Sequence, residues 1–232
     1  MAQEENMTLF EHLEELRDRL IKTLGALGVA TLLSIIVARR ALQLLIAPMG
    51  ESKPVALHPT ASIISYFKIS LILGTVLAMP VIIYQFIRFV VPGLTSQEKR
   101  YLYVIVPGAT ISFALGVTFA GLVILPFSIK YLQGFMSDII RPTYSIDRYI
   151  SFVTSVLFWV GLSFETPLVI FFLAKMEVVN VQFLTRSRKY ALLIVAVLAA
   201  VITPTPDPFN MLIVMAPLVL LYELGVLLAR LA

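Results

Sequence analysis

Apolar residues in this chain fall in long unbroken runs, separated by short polar or Pro-rich stretches. Ile21–Val37 is almost wholly apolar and is closed by Arg39 and Arg40. Ile63–Val91, Tyr101–Phe127, Tyr149–Leu173, Tyr190–Thr203 and Phe209–Leu228 follow. A helical membrane crossing needs about 20 apolar residues, and runs without strict alternation predict helices, not barrel strands. The expectation is an all-α polytopic membrane protein with six transmembrane helices, one domain over residues 1–232. The spans are unequal. Ile63–Val91 would extend about 43 Å against a hydrocarbon core of about 30 Å, so it must tilt, kink at Pro80 or project into water. Tyr190–Thr203 would extend only about 21 Å, and the last two helices are expected to be short for an unperturbed bilayer.

Before the first span lies the polar run Thr8–Leu20, TLFEHLEELRDRL. Leu9, Leu13, Leu16 and Leu20 form one apolar stripe at helical spacing, opposite Glu14, Glu15, Arg17, Asp18 and Arg19. Thr8 with Glu11 reads as a capping box. A short amphipathic helix over about 8–20 is therefore expected at the membrane surface, with its charges presented to water. The patch Leu42–Ala47, among Pro48, Gly50, Pro54 and Pro59, predicts a second short interfacial helix. Asp207 sits in a Pro204–Pro208 hairpin, where it can cap the sixth helix with Pro208 in the first helical position.

Composition agrees with the membrane class: 59% of residues are hydrophobic and 14% charged. A net charge of +4 suits anionic lipid heads and gives no sign of nucleic acid. Cysteine is absent, which excludes disulfides and thiolate chemistry. The acidic opening MAQEEN does not resemble a cleavable signal peptide, so the first span is expected to stay. Six spans put both termini on one side, together with Arg17, Arg19, Lys22, Arg88, Lys99, Arg100 and the basic stretch from Lys175 to Lys189. Fewer basic residues fall on the other side, so both termini are expected in the cytoplasm.

Few residues could carry chemistry. Glu165 in GLSFETP lies within the fourth span, where a carboxylate costs roughly 2.5–3.5 kcal/mol on insertion scales. It needs a polar partner, a water-filled cavity or a proton path; an internal hydrogen bond helped by the carbonyl freed at Pro167 is the structural alternative. Lys68 and Gln85 are weaker candidates, because Lys68 can snorkel and Gln85 lies near a span end. Glu98, in the loop TSQEKR, shares a side with Glu15 and by itself is an exposed loop carboxylate. His12 and His58 fall on opposite sides, HExxH is absent, and GLSFE is not GxSxG. The chain is therefore read as a non-enzyme with no metal site and no cofactor, and His12 as part of the surface helix.

Several segments together resemble the TatC family, the multispan core of the twin-arginine protein translocase. They are FEHLEELRDRL at the start, Pro48 in the first long loop, FVVPGLTSQEK from Phe89, FETP around Glu165, and TPTPDPF before the last span. They occur in family order over essentially the whole chain. One departure is visible: many members carry Gln four residues after the hairpin Asp, where this chain has Met211 preceded by Asn210. The resemblance implies a receptor that binds paired-arginine signal peptides of folded proteins on the cytoplasmic face. Export is then driven by the proton-motive force. Glu15 and Glu98 match the family's arginine-receiving carboxylates, with Arg17, Arg19 and Phe89 around them. A guanidinium fork pairs bidentately with a carboxylate, which makes that assignment chemically sensible. Glu165 matches the intramembrane site for a polar residue of a small single-span partner resembling TatA or TatB. The implied setting is the bacterial cytoplasmic (inner) membrane, with several copies in a larger complex. A proton- or cation-coupled secondary transporter using Glu165 is the competing reading.

Overall fold

The structure, a computed structural model, describes residues 9–50, 52–90, 99–139, 143–203 and 207–231. Among these residues it is all-helical. The helices are α1 (Leu9–Ile46), α2 (Ala61–Val90), α3 (Lys99–Phe119), α4 (Leu125–Gly134) and α5 (Ile146–Ser163), then α6 (Thr166–Lys175), α7 (Val181–Arg186), α8 (Arg188–Ile202) and α9 (Pro208–Ala229). Five segments are long and apolar enough to cross a membrane: His12–Met49, Ala61–Phe89, Ile105–Gly134, Ile146–Lys175 and Pro208–Ala229. α8, with 15 residues, is shorter than these, but α9, with 22, is not, so only one of the last two helices is short as expected.

α5 is the hub. Its Ile150, Val153, Val156 and Val160 are wholly buried and pack with Ile69 of α2, Ala199 of α8 and Val214 of α9. Leucines and isoleucines such as Leu32, Ile36, Leu122 and Leu220 point outward, as expected where the surrounding medium is itself apolar. Association then depends on close packing. A Cβ on Gly116 would come 2.8 Å from the Gly161 Cα, so α3 and α5 meet backbone to backbone. A Cβ on Gly74 would come 2.7 Å from the Thr31 Cα, and α1 and α2 are pressed together in the same way. The connection after α1 is tied to the start of α5 by Val55, whose N–H bonds the Tyr144 carbonyl and whose carbonyl accepts from Ile146 N–H, both at 2.9 Å.

Four expectations about boundaries are corrected. The stretch expected as a separate surface helix is the first part of the 38-residue α1, continuous with the span that follows. Neither Gly nor Pro interrupts residues 9–24, so the helix has no local reason to break there. Leu42–Ala47 is likewise no separate interfacial helix; Leu42–Ile46 are the last residues of α1, and Ala47–Met49, with Pro48 inside, form one 3-10 turn. The third span does not end at Phe127 but runs through a π-helical turn, Ala120–Ile124, into α4. The fourth span is split at Phe164–Glu165, where Pro167 enters the first turn of α6 and cannot supply an N–H. Thr8 of the expected capping box lies outside the described residues.

Candidate functional site

The face of α1 turned toward α2 is the polar one, which reverses the expected arrangement. Glu15 and Arg19 are only 17% and 16% exposed, whereas Leu13 and Leu20 are 60% and 53% exposed. Their spacing explains the arrangement. His12, Glu15 and Arg19 fall at i, i+3 and i+7 on α1, and Gln85 and Phe89 at i and i+4 on α2, so each set lines one face.

Arg19 bridges the two helices. Its Nε donates to Glu15 Oε1 at 2.9 Å, its Nη2 donates to the same oxygen, and its Nη1 donates to Gln85 Oε1 at 3.3 Å. The other carboxylate oxygen of Glu15, Oε2, is buried and has no hydrogen-bond partner among the described residues. His12 Nδ1 stands 3.8 Å from Glu15 Oε2, and the imidazole stacks on the Phe89 ring, with centroids 4.6 Å apart. One oxygen of Glu15 is thus held by an internal guanidinium, and the other lies against an aromatic shelf. A carboxylate in this state can accept a second guanidinium edge-on.

Not every expected residue joins this cluster. Arg17 points away and pairs with Glu14 at 3.1 Å and Asp18 at 3.2 Å on the exposed side. Glu98 lies outside the described residues. Pro48 sits in the 3-10 turn at the far end of α1. Asp207 caps α9, accepting from Asn210 N–H at 2.7 Å with Pro208 next, as expected of an N-cap. Sequence reasoning set His12 and Gln85 aside. Their helical register with Glu15 and Phe89 was the available signal, but it becomes informative only once α1 and α2 are known to be neighbours.

Glu165 occupies the break between α5 and α6. It is 8% exposed, and its Oε1 is buried without a hydrogen-bond partner among the described residues. Ser112 of α3 donates to the Phe164 carbonyl at 2.7 Å, fixing the break against α3. Lys68, read as a snorkelling residue, instead donates to Ser151 Oγ at 2.6 Å, between α2 and α5. Among the described residues no cluster of His, Cys, Asp and Glu could hold a metal ion.

The family model for the Sec-independent protein translocase protein (TatC) matches residues 11–217. The chain belongs to the TatC family. The TatC of Carboxydothermus hydrogenoformans is 37% identical over 97% of this chain and 93% of its own length. That of Aquifex aeolicus is 38% identical over 97% and 96%, and the chloroplastic TATC of Pisum sativum is 31% identical over all of this chain and 65% of its own. A crystal structure of the twin arginine translocase receptor TatC superposes with a TM-score of 0.85, at 36% identity, covering 94% of this chain and 99% of that one. As a TatC protein, the chain is a multi-pass membrane subunit of a Sec-independent protein translocase. That membership favours protein transport over the competing small-solute transporter.

Proposed function

We propose that this TatC chain is the signal-peptide receptor of the translocase, taking paired arginines at Glu15 and Glu98 on the cytoplasmic rim. The observation that carries the reading is Glu15 itself: a carboxylate in the α1–α2 wall with Oε1 on Arg19 and Oε2 buried without a hydrogen bond among the described residues. An incoming guanidinium would bond Oε2 and compete with Arg19 for the rest of the group. Competition of this kind gives moderate, salt-sensitive affinity. Phe89 and His12 would support the aliphatic part of the ligand arginine, and Arg17, like Arg19, would compete with the ligand for nearby carboxylates. Glu165 would receive a polar residue of a single-span TatA- or TatB-like helix, satisfying Oε1, which has no hydrogen-bond partner among the described residues.

In this reading the chain is one six-span domain without enzymatic activity or cofactor, lying in the bacterial cytoplasmic membrane with both termini inside and working as several copies in a larger complex. α8, with 15 residues, is the short one of the last two helices, and the bilayer would thin around it. The test is photocrosslinking of a twin-arginine signal peptide to the full chain in membranes. Glu15→Ala and Glu98→Ala should each abolish the crosslink while the chain still inserts and folds. Undiminished crosslinking by the double variant would refute the assignment.

A further inference from the structure

A second polar feature lies apart from both sites, in a groove of about 280 Å³ between α2 and α5. Lys68 and Ser151 stand at one end of it, with Thr154 nearby, and the remaining lining includes Leu71, Phe158 and Trp159. Lys68 Nζ donates to Ser151 Oγ at 2.6 Å, and Ser151 Oγ donates its own proton to the Asp147 carbonyl at 2.6 Å. Ser151 therefore holds the ammonium in place without neutralising it. Among the described residues no acidic side chain lines the groove, and Lys68 takes part in no ion pair. An ammonium has three donors and Ser151 takes one of them, so a residue lining the groove brings a cation with donors to spare.

We propose that this groove seats one anionic phospholipid from the leaflet on the side of the α2 N-terminus, with its phosphate on the Lys68 ammonium and an acyl chain along Leu71, Phe158 and Trp159. Depth supports a lipid. Lys68 lies seven residues into α2 from Ala61, about 10 Å along the axis. The 30 residues of α2 extend about 45 Å and overshoot a core of about 30 Å by about 7 Å at each end. Lys68 therefore sits within one turn of the hydrocarbon boundary, where a flexible four-carbon side chain can meet a phosphate. The order of the lining supports it too. Counted from the boundary, Lys68 on α2 and Ser151, Thr154 and Ser155 on α5 come first, and Phe158 and Trp159 follow, which is the polarity profile of a phospholipid. A carboxylate on an incoming helix would answer the charge alone and leave that order without a role. This proposal does not depend on the signal-peptide reading.

Trp159 is the single tryptophan in the chain, so its fluorescence reports on the groove directly. The purified full chain would be reconstituted in phosphatidylcholine vesicles carrying a small fraction of brominated phosphatidylglycerol or, in parallel, brominated phosphatidylcholine. Brominated phosphatidylglycerol should quench Trp159 as though enriched about fivefold at the site, the effect of one lysine near an anionic headgroup. Lys68→Gln should reduce the quenching to the phosphatidylcholine level, Lys68→Arg should retain it, and inorganic phosphate should not displace it. Equal quenching by the two lipids, an excess that survives Lys68→Gln, or displacement by inorganic phosphate would overturn the proposal. The Lys68→Arg arm and far-UV circular dichroism of each variant separate loss of the site from loss of the fold.

Discussion

Ser112 and Phe164 are joined by a single hydrogen bond of 2.7 Å, from the Ser112 hydroxyl to the Phe164 carbonyl. It ties α3 to the last residue before Glu165, at the point where Pro167 interrupts the ladder of backbone bonds. A carbonyl freed within lipid depth must find a donor, and the neighbouring helix supplies it. Ser112→Ala should lower stability by about 1 kcal/mol. Thermal unfolding of the purified chain in detergent would show the loss, and accessibility of a cysteine placed at Leu162 should rise as the break loosens.

At the rim, Arg19 and Glu15 should behave as a coupled pair. Arg19→Ala leaves a largely buried carboxylate without its cation and should cost about 2 kcal/mol, somewhat less than a fully buried pair because both groups retain some exposure. Adding Glu15→Gln should recover most of that loss. A double-mutant cycle by chemical denaturation measures the coupling, and additive losses would show that the pair does not stabilise the fold. Gln85→Ala should release only one end of Arg19, seen as faster hydrogen exchange in the early turns of α1.

Gly74 allows α1 and α2 to approach closely. A Cβ there would lie 2.7 Å from both N and Cα of Thr31, and a backbone atom cannot move aside as a side-chain tip can. Gly74→Ala should therefore destabilise by about 1–3 kcal/mol despite its better helix propensity. The same substitution at Gly28, with nothing within 4 Å, should be neutral or mildly stabilising in the same melting assay.

Glu165 should show opposite effects on folding and on assembly. Glu165→Leu removes a buried oxygen that lacks a partner and should leave the isolated chain as stable or up to about 1–3 kcal/mol more stable. Co-purification of single-span partners should fall in the same variant, and Glu165→Gln should retain part of it. A loss of monomer stability with partner binding intact would assign Glu165 to the fold instead.

The positions of the helices were largely legible in the sequence, because lipid-length apolar runs have few alternative folds. α2 begins at Ala61 and ends at Val90, close to the expected Ile63–Val91. The orientation of α1 was not legible. Leu13, Leu16 and Leu20 look like a core-facing stripe by the rules of water-soluble proteins, yet they face outward while Glu15 and Arg19 pack toward α2. In a lipid setting, burial inside the protein goes to groups that need polar partners, so the stripe rule reverses. Glu165 was found because a charge in an apolar run is conspicuous. Gln85 and His12 were missed because an amide near a span end and a histidine on a charged helix become informative only through their neighbours.

α1 is one uninterrupted rod of 38 residues, about 57 Å from end to end, longer than the bilayer it crosses. Glu15 stands near one tip, and near the other the Tyr149 hydroxyl grips the Leu45 carbonyl. With no break in the helix between them, a tilt imposed at the Glu15 tip would swing the opposite tip and strain its clasp on α5. The rod is in effect a lever whose fulcrum is the tight crossing at Gly74 and Thr31.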